Sequence, residues 1–208
     1  MPANELSRSA SLSPALRRRQ LEDGLVLAAG GFVAFCAFEP RVALLVAAWW
    51  FVTLVIVRSD IADQLIPDWT SGAIVLLALL RLLTMHGFTG AAFGLIGEAV
   101  LRAAATSGLL WTIGWAYERI SGHEGLGFGD VKLAGAIAFW LGPYELLLAF
   151  ELATFAALAL VAAYRLIRRT EVLGSAIPFG AFLAPAAWII LVSAPIAERF
   201  WPWPAIPG

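Results

Sequence analysis

Two short stretches carry the side chains that could do chemistry. The first, residues 122–135, reads GHEGLGFGDVKLAG. Gly122, Gly125, Gly127 and Gly129 fall within eight positions and lead into Asp130 and then Lys132, the only lysine in the chain. Glycine permits backbone conformations closed to other residues and lets neighbouring groups come close. The second stretch, residues 58–70, reads RSDIADQLIPDWT and offers three carboxylates, Asp60, Asp63 and Asp68. Both are set in apolar sequence, where ionisable side chains are expensive and are functional candidates by default. Each carboxylate also has a plainer reading. Asp130 suits the N-cap of a helix starting at Val131, and Asp68, after Pro67, suits the N-cap of the next helix. Asp63 reads as a solvated loop residue. Asp60, at the end of an apolar run, is the best candidate for burial.

Two aspartates brought within a few ångströms cannot both ionise easily, so the pair can hold one shared proton. That state suits hydrolysis of a peptide bond. The ionised partner takes a proton from water, the water attacks the carbonyl, and the protonated partner donates to the oxyanion or the leaving amine. Such a reaction needs no serine, cysteine, metal or cofactor. Lys132 has two readings: it tunes a neighbouring carboxylate or binds an acidic substrate residue, or it anchors its helix at the lipid headgroups. His123 and Glu124 are either further acid–base groups or solvated loop residues. The glycine string has some likeness to a phosphate-binding loop, but the preceding strand and the Gly-Lys-Ser/Thr ending are missing.

The elements that must position these groups are read from hydropathy. Of 208 residues, 61% are hydrophobic and only 14% charged, with mean hydropathy +0.82. Such values lie far from the soluble globular norm and indicate a polytopic membrane protein. The net charge of -1 gives no electrostatic footprint for nucleic acid. Cys36 is the only cysteine, which excludes a disulfide or a cysteine-based zinc site within one chain, and His86 and His123 are too few for a metal centre without several carboxylates. No secretory signal pattern is evident at the N-terminus.

Residues 1–20 are polar and end in Arg17-Arg18-Arg19, as expected of a cytoplasmic tail; residues 21–208 form the membrane domain. Apolar spans are expected at 24–38, 42–57, 71–85, 99–117, 131–141, 144–164 and 176–194. Residues 87–97 are glycine-rich and read as a loop or a half-inserted segment. The fold class is therefore all-α: a membrane helical bundle with about seven transmembrane helices, six to eight. Trp201 and Trp203 suit an interfacial aromatic belt. With the N-terminus inside, cytoplasmic segments hold ten of the Lys and Arg residues and the outer ends four, in keeping with the positive-inside rule. The exceptions, Arg81 and Arg102, are expected to snorkel outward or pair with Glu98. Two spans separate the loop at 58–70 from that at 118–130, so both open to one face, and Asp60 and Asp130 can meet near the inner leaflet.

The motifs resemble those of bacterial type IV prepilin peptidases, members of the Gly-x-Gly-Asp membrane aspartic proteases. The resemblance rests on Asp60 followed by Ile66-Pro67-Asp68, on GHEGLGFGDVKLAGAIAFWLG at 122–142, and on Ile177-Pro178-Phe179-Gly180, in that order along the chain. It implies that Asp60 and Asp130 are catalytic, with Lys132, Gly127, Gly129, Glu124 and Pro67 binding substrate or supporting the site, and no metal or cofactor. It implies cleavage of the basic leader of prepilins or pseudopilins after a glycine, at the cytoplasmic face of the bacterial inner membrane, with lipid as surroundings. Larger members carry a cytoplasmic domain with paired cysteines, associated with N-methylation. Here only three residues join the first two spans, so a peptidase without methyl transfer is expected. A proton- or ion-coupled transporter, with carboxylates near the midplane and an internal repeat, is the alternative. A non-catalytic pilus or secretion assembly protein is another.

Overall fold

A computed structural model describes residues 14–123, 125–168 and 177–200. Seven helices account for nearly all of them: α1 (Pro14–Ala37), α2 (Pro40–Asp63), α3 (Asp68–His86), α4 (Gly90–Ser121), α5 (Phe128–Ile137), α6 (Pro143–Arg168) and α7 (Gly180–Phe200). Of these, α2, α3, α4 and α6 are long and apolar enough to cross a bilayer. The chain is thus an all-α membrane bundle.

α2 is the central post, packed on α1, α3 and α7. Its buried residues Val42, Val46, Trp49, Thr53, Ile56 and Asp60 recur at alternating spacings of four and three. That stripe lies along one helix face. Asp60 is therefore the last member of the core stripe, 5% exposed, whereas Asp63 falls off it and is exposed.

Four indoles tie the post to its neighbours. Trp49 stacks on Trp140 with centroids 4.7 Å apart, and Trp140 donates its Nε1–H to the Ile74 carbonyl at 2.9 Å. Trp188 of α7 donates to the Val46 carbonyl at 3.1 Å, and Trp50 donates to the Val26 carbonyl of α1 at 3.0 Å. Apolar burial drives association weakly in lipid, so close approach through small residues matters more. α6 accordingly turns Ala149, Ala153 and Ala157 inward, and α7 buries Ala184 and Ala187. Gly30 lies directly against the Trp50 indole, with no room for a Cβ.

Several boundaries differ from expectation. Residues 14–20 are helical and belong to α1, and α4 begins at Gly90, so most of 87–97 is helical. Thr89 caps α4 by accepting from the Ala92 N–H, a signal concealed by the surrounding glycines. Pro67, not Asp68, is the N-cap of α3, and Gly127, not Asp130, that of α5; both aspartates sit in first turns. Arg102 donates Nε–H to the Ala138 carbonyl at 3.2 Å, and the Arg81 guanidinium lies 5.4 Å over the Trp140 ring. Among the described residues neither pairs with Glu98. Trp201 and Trp203 lie outside the described residues, as does most of the basic segment at 165–175.

Candidate active site

α2, α5 and α7 bring their ends together around Asp60 and Asp130. Asp60 comes from the last turn of α2 and Asp130 from the first turn of α5. The third wall is the N-terminus of α7. Its Ala181 N–H donates to Asp60 Oδ2 at 2.7 Å, and the Gly180 N–H faces both carboxylates. Free N–H groups at a helix start, with the positive end of the helix dipole, favour carboxylates there.

Gly180 approaches both acids closely. A Cβ added to it would stand 3.1 Å from Asp60 Oδ2 and 3.1 Å from Asp130 Oδ1. The two oxygens are therefore at most about 6.2 Å apart. A water bonded to both needs them about 5.5 Å apart or less. Neither carboxylate is ion-paired among the described residues.

The α2–α3 connection completes the floor. Ser59 donates its hydroxyl to the Leu65 carbonyl at 2.7 Å, and Thr70 donates to the Pro67 carbonyl at 2.7 Å. This holds Ile66 inward, 8% exposed. Ile66 packs against two glycines: a Cβ on Gly129 would meet Ile66 Cβ at 3.4 Å, and one on Gly180 would overlap Ile66 Cδ1 at 2.5 Å. Gly129 and Gly180 thus serve close approach. Gly127 has φ -65° and ψ 138°, which any residue can adopt, and its added Cβ would make only ordinary contact with Asp130 Oδ2 at 3.5 Å. No conformational need explains Gly127. Gly125 lies against the Tyr117 ring, leaving no room for a side chain.

Two cavities flank the pair. One, of about 390 Å³, opens toward Ile66, Asp68 and Lys132; the other, of about 590 Å³, opens toward Leu126, Ile177 and Phe179. Lys132 reaches the first cavity and forms an ion pair with Asp68, with its Nζ 4.8 Å over the Phe128 ring. The fold thus gives the cation an internal carboxylate partner, beside the site. Pro67 directs the turn into α3. His123 is exposed and its Nδ1 lies 2.8 Å from the Ser121 carbonyl, away from both aspartates' bonding partners. Glu124 lies outside the described residues. No cluster of three or more His, Cys, Asp or Glu side chains suited to a metal occurs among the described residues.

Sequence reasoning singled out the Pro-Phe-Gly stretch by motif but not the N–H donors of Gly180 and Ala181, because main-chain donors carry no residue signature. It also missed Gln64, which lines both cavities.

Residues 44–162 match the model of the type IV leader peptidase family. Among curated proteins, the chain is 34% identical over 154 residues to a prepilin leader peptidase/N-methyltransferase of Aeromonas hydrophila, covering 72% of this chain and 49% of that protein. It is 34% identical over 160 residues to one of Pseudomonas putida, covering 75% and 51%. It is 30% identical over 191 residues to one of Dichelobacter nodosus, covering 90% and 62%. The chain spans about half the length of the first two of these relatives. No solved structure matches.

Proposed function

The chain belongs to the type IV leader peptidase family, and from that premise we propose that it is a membrane-embedded aspartic endopeptidase. Its substrates are prepilins or pseudopilins, cut between a basic leader and an apolar segment at the cytoplasmic face of the bacterial inner membrane. Asp60 and Asp130 form the catalytic pair. The observation that carries this reading is the meeting of their carboxylate oxygens around Gly180, no more than about 6.2 Å apart.

That spacing supports a water-based reaction. One carboxyl of the pair holds a proton while the other is ionised. The ionised oxygen removes a proton from the bridging water as its oxygen bonds to the scissile carbonyl carbon. The protonated carboxyl donates to the carbonyl oxygen, giving a tetrahedral intermediate. On its collapse the ionised carboxyl takes a proton from one hydroxyl of the intermediate as the C=O re-forms, and the protonated carboxyl donates its proton to the leaving nitrogen as the C–N bond breaks, so the pair again holds one proton. The Ala181 N–H, bonded to Asp60 Oδ2, holds that carboxylate in orientation through the cycle. Lys132, on the rim with Asp68, supports the acidic side of the substrate cavity. A transporter reading draws less support, since both acids sit at helix ends rather than at mid-helix.

The test is cleavage of a pilin precursor in membranes, read as a size shift and by N-terminal sequencing of the product. Asp60→Asn and Asp130→Asn should each lower cleavage by about 10²–10⁴-fold with the protein still folded. Full processing by either variant removes that residue from the mechanism. The product's first residue also reports whether any methyl group has been added.

A further inference from the structure

Of the four helices long enough to cross a bilayer, α4 is the least buried. It buries Ala92 and Ala99 near its start, and no residue from 100 to 121 is buried. α4 packs on α3 and α5, while α6 packs on α7. Between α4 and α6 lies a cavity of about 410 Å³. Leu110, Ile113 and Tyr117, at spacings of three and four, form one stripe of α4 and supply one wall. Phe150 of α6 and Phe179 supply another, stacked with ring centroids 6.4 Å apart. Asp130 belongs to the same lining. Ile113 and Tyr117 are both exposed, so the cavity opens to the bilayer as a cleft.

The cleft is continuous with the acidic pair. It shares Asp130, Leu126 and Phe179 with the larger of the two cavities that flank the pair. Two ways therefore lead from the acids. One runs past the ion pair of Asp68 and Lys132. The other runs between α4 and α6, past aliphatic and aromatic side chains. A substrate cut between a basic leader and an apolar segment makes opposite demands on the two sides of the cut. The apolar side would desolvate the ion pair on the first way, which is costly. On the second it stays helical, with its main chain satisfied internally as the bilayer requires. Lipid tails are as apolar as leucine, so apolarity alone does not select a peptide. The covalent link does: a segment joined to the bond held at Asp130 meets the cleft at high effective concentration.

We propose that the cleft between α4 and α6 is the docking site for the apolar segment of the substrate, which enters sideways from the bilayer and lays one helix face against Leu110, Ile113 and Tyr117. This inference rests on the peptidase reading above. It explains why α4 stays uncovered along the half that faces the site. It also makes recognition depend on apolar shape rather than on a fixed sequence after the cut.

The experiment uses the full chain in lipid vesicles and two synthetic peptides, each with a basic leader and a glycine before the cut. The long peptide continues into a full apolar segment that carries a photoreactive diazirine leucine; the short one stops soon after the cut. On illumination with the unaltered protein, the label is expected to attach to α4 between Leu110 and Tyr117 or to Phe150, as mapped by mass spectrometry. Ile113→Trp narrows the cleft. It is expected to lower kcat/KM for the long peptide at least about tenfold, as a misplacement of a fraction of an ångström to an ångström implies, and to spare the short one. Thr112→Trp, at an exposed position off that stripe of α4, is expected to spare both. Labelling confined to lipid or to other helices overturns the inference, as does an Ile113→Trp variant that slows both peptides alike or neither. Should Ile113→Trp fail to fold, or the short peptide resist cleavage, the labelling decides alone. Absence of cleavage of the long peptide by the unaltered protein instead removes the peptidase reading itself, and the inference with it.

Discussion

The backbone N–H of Ala181 donates to Asp60 Oδ2 at 2.7 Å, joining residues 121 positions apart where the end of one helix meets the start of another. It ties the end of α2 to the start of α7 and fixes one carboxylate of the pair. An acid buried at this depth is held in orientation by main chain rather than by a cation. Main-chain donors on a packed helix cannot swing away as a lysine or arginine side chain can.

This contact separates stability from chemistry at Asp60. Asp60→Asn retains an oxygen acceptor for the Ala181 N–H, whereas Asp60→Ala leaves that donor unpaired. Asp60→Ala is expected to cost about 1–3 kcal/mol more than Asp60→Asn. Thermal unfolding in detergent compares them, with cleavage strongly lowered in both variants. Equal stability of the two would mean that the Ala181 bond contributes nothing net.

Gly180 is expected to tolerate no side chain at full activity. A Cβ there would overlap Ile66 Cδ1 at 2.5 Å and crowd both carboxylate oxygens at 3.1 Å. Ile66 can yield, being the end of a flexible side chain; the carboxylates yield only by leaving their geometry. Gly180→Ala should therefore fold but cleave on the order of tenfold to a hundredfold more slowly, as for a displacement of a fraction of an ångström to an ångström. Combining it with Ile66→Ala should restore folding stability more than rate. Rates and unfolding temperatures for the two single variants and the double variant measure this, and full recovery of rate would assign the defect to Ile66 alone.

The Lys132–Asp68 pair is exposed at its acidic end, with Asp68 81% accessible on its side chain. A double-mutant cycle on unfolding should give a coupling under about 1 kcal/mol. Its influence on cleavage should be larger if the lysine engages an acidic substrate residue. Lys132→Ala should then slow substrates bearing a carboxylate near the cut and spare those lacking one, and Asp68→Asn should leave cleavage intact. Equal rates for both substrate types in Lys132→Ala would restrict the lysine to its pairing with Asp68.

Much of the architecture is written locally in the chain. Apolar runs long enough to cross a bilayer, the breaks at Pro40 and at Gly142-Pro143, and the parity of two spans between the acidic loops all follow from composition and order, because lipid forces every backbone group to be satisfied within its own helix. The same-face placement of Asp60 and Asp130 needed nothing more. Even the choice of Asp60 over Asp63 was present in the spacing of Val42, Val46, Trp49, Thr53 and Ile56, whose stripe ends on Asp60.

What only the tertiary structure decided is how the ends meet. Pro67 and Gly127 took the caps that Asp68 and Asp130 seemed suited to, and freed Asp68 for Lys132 and Asp130 for Asp60's neighbourhood. The donors at Gly180 and Ala181 and the packing of Ile66 on Gly129 and Gly180 join segments far apart in sequence. Hydropathy and motif spacing describe one segment at a time, so they specify that two acids share a membrane face. They cannot specify the few ångströms between those acids, which the packing of α7 against α2 sets.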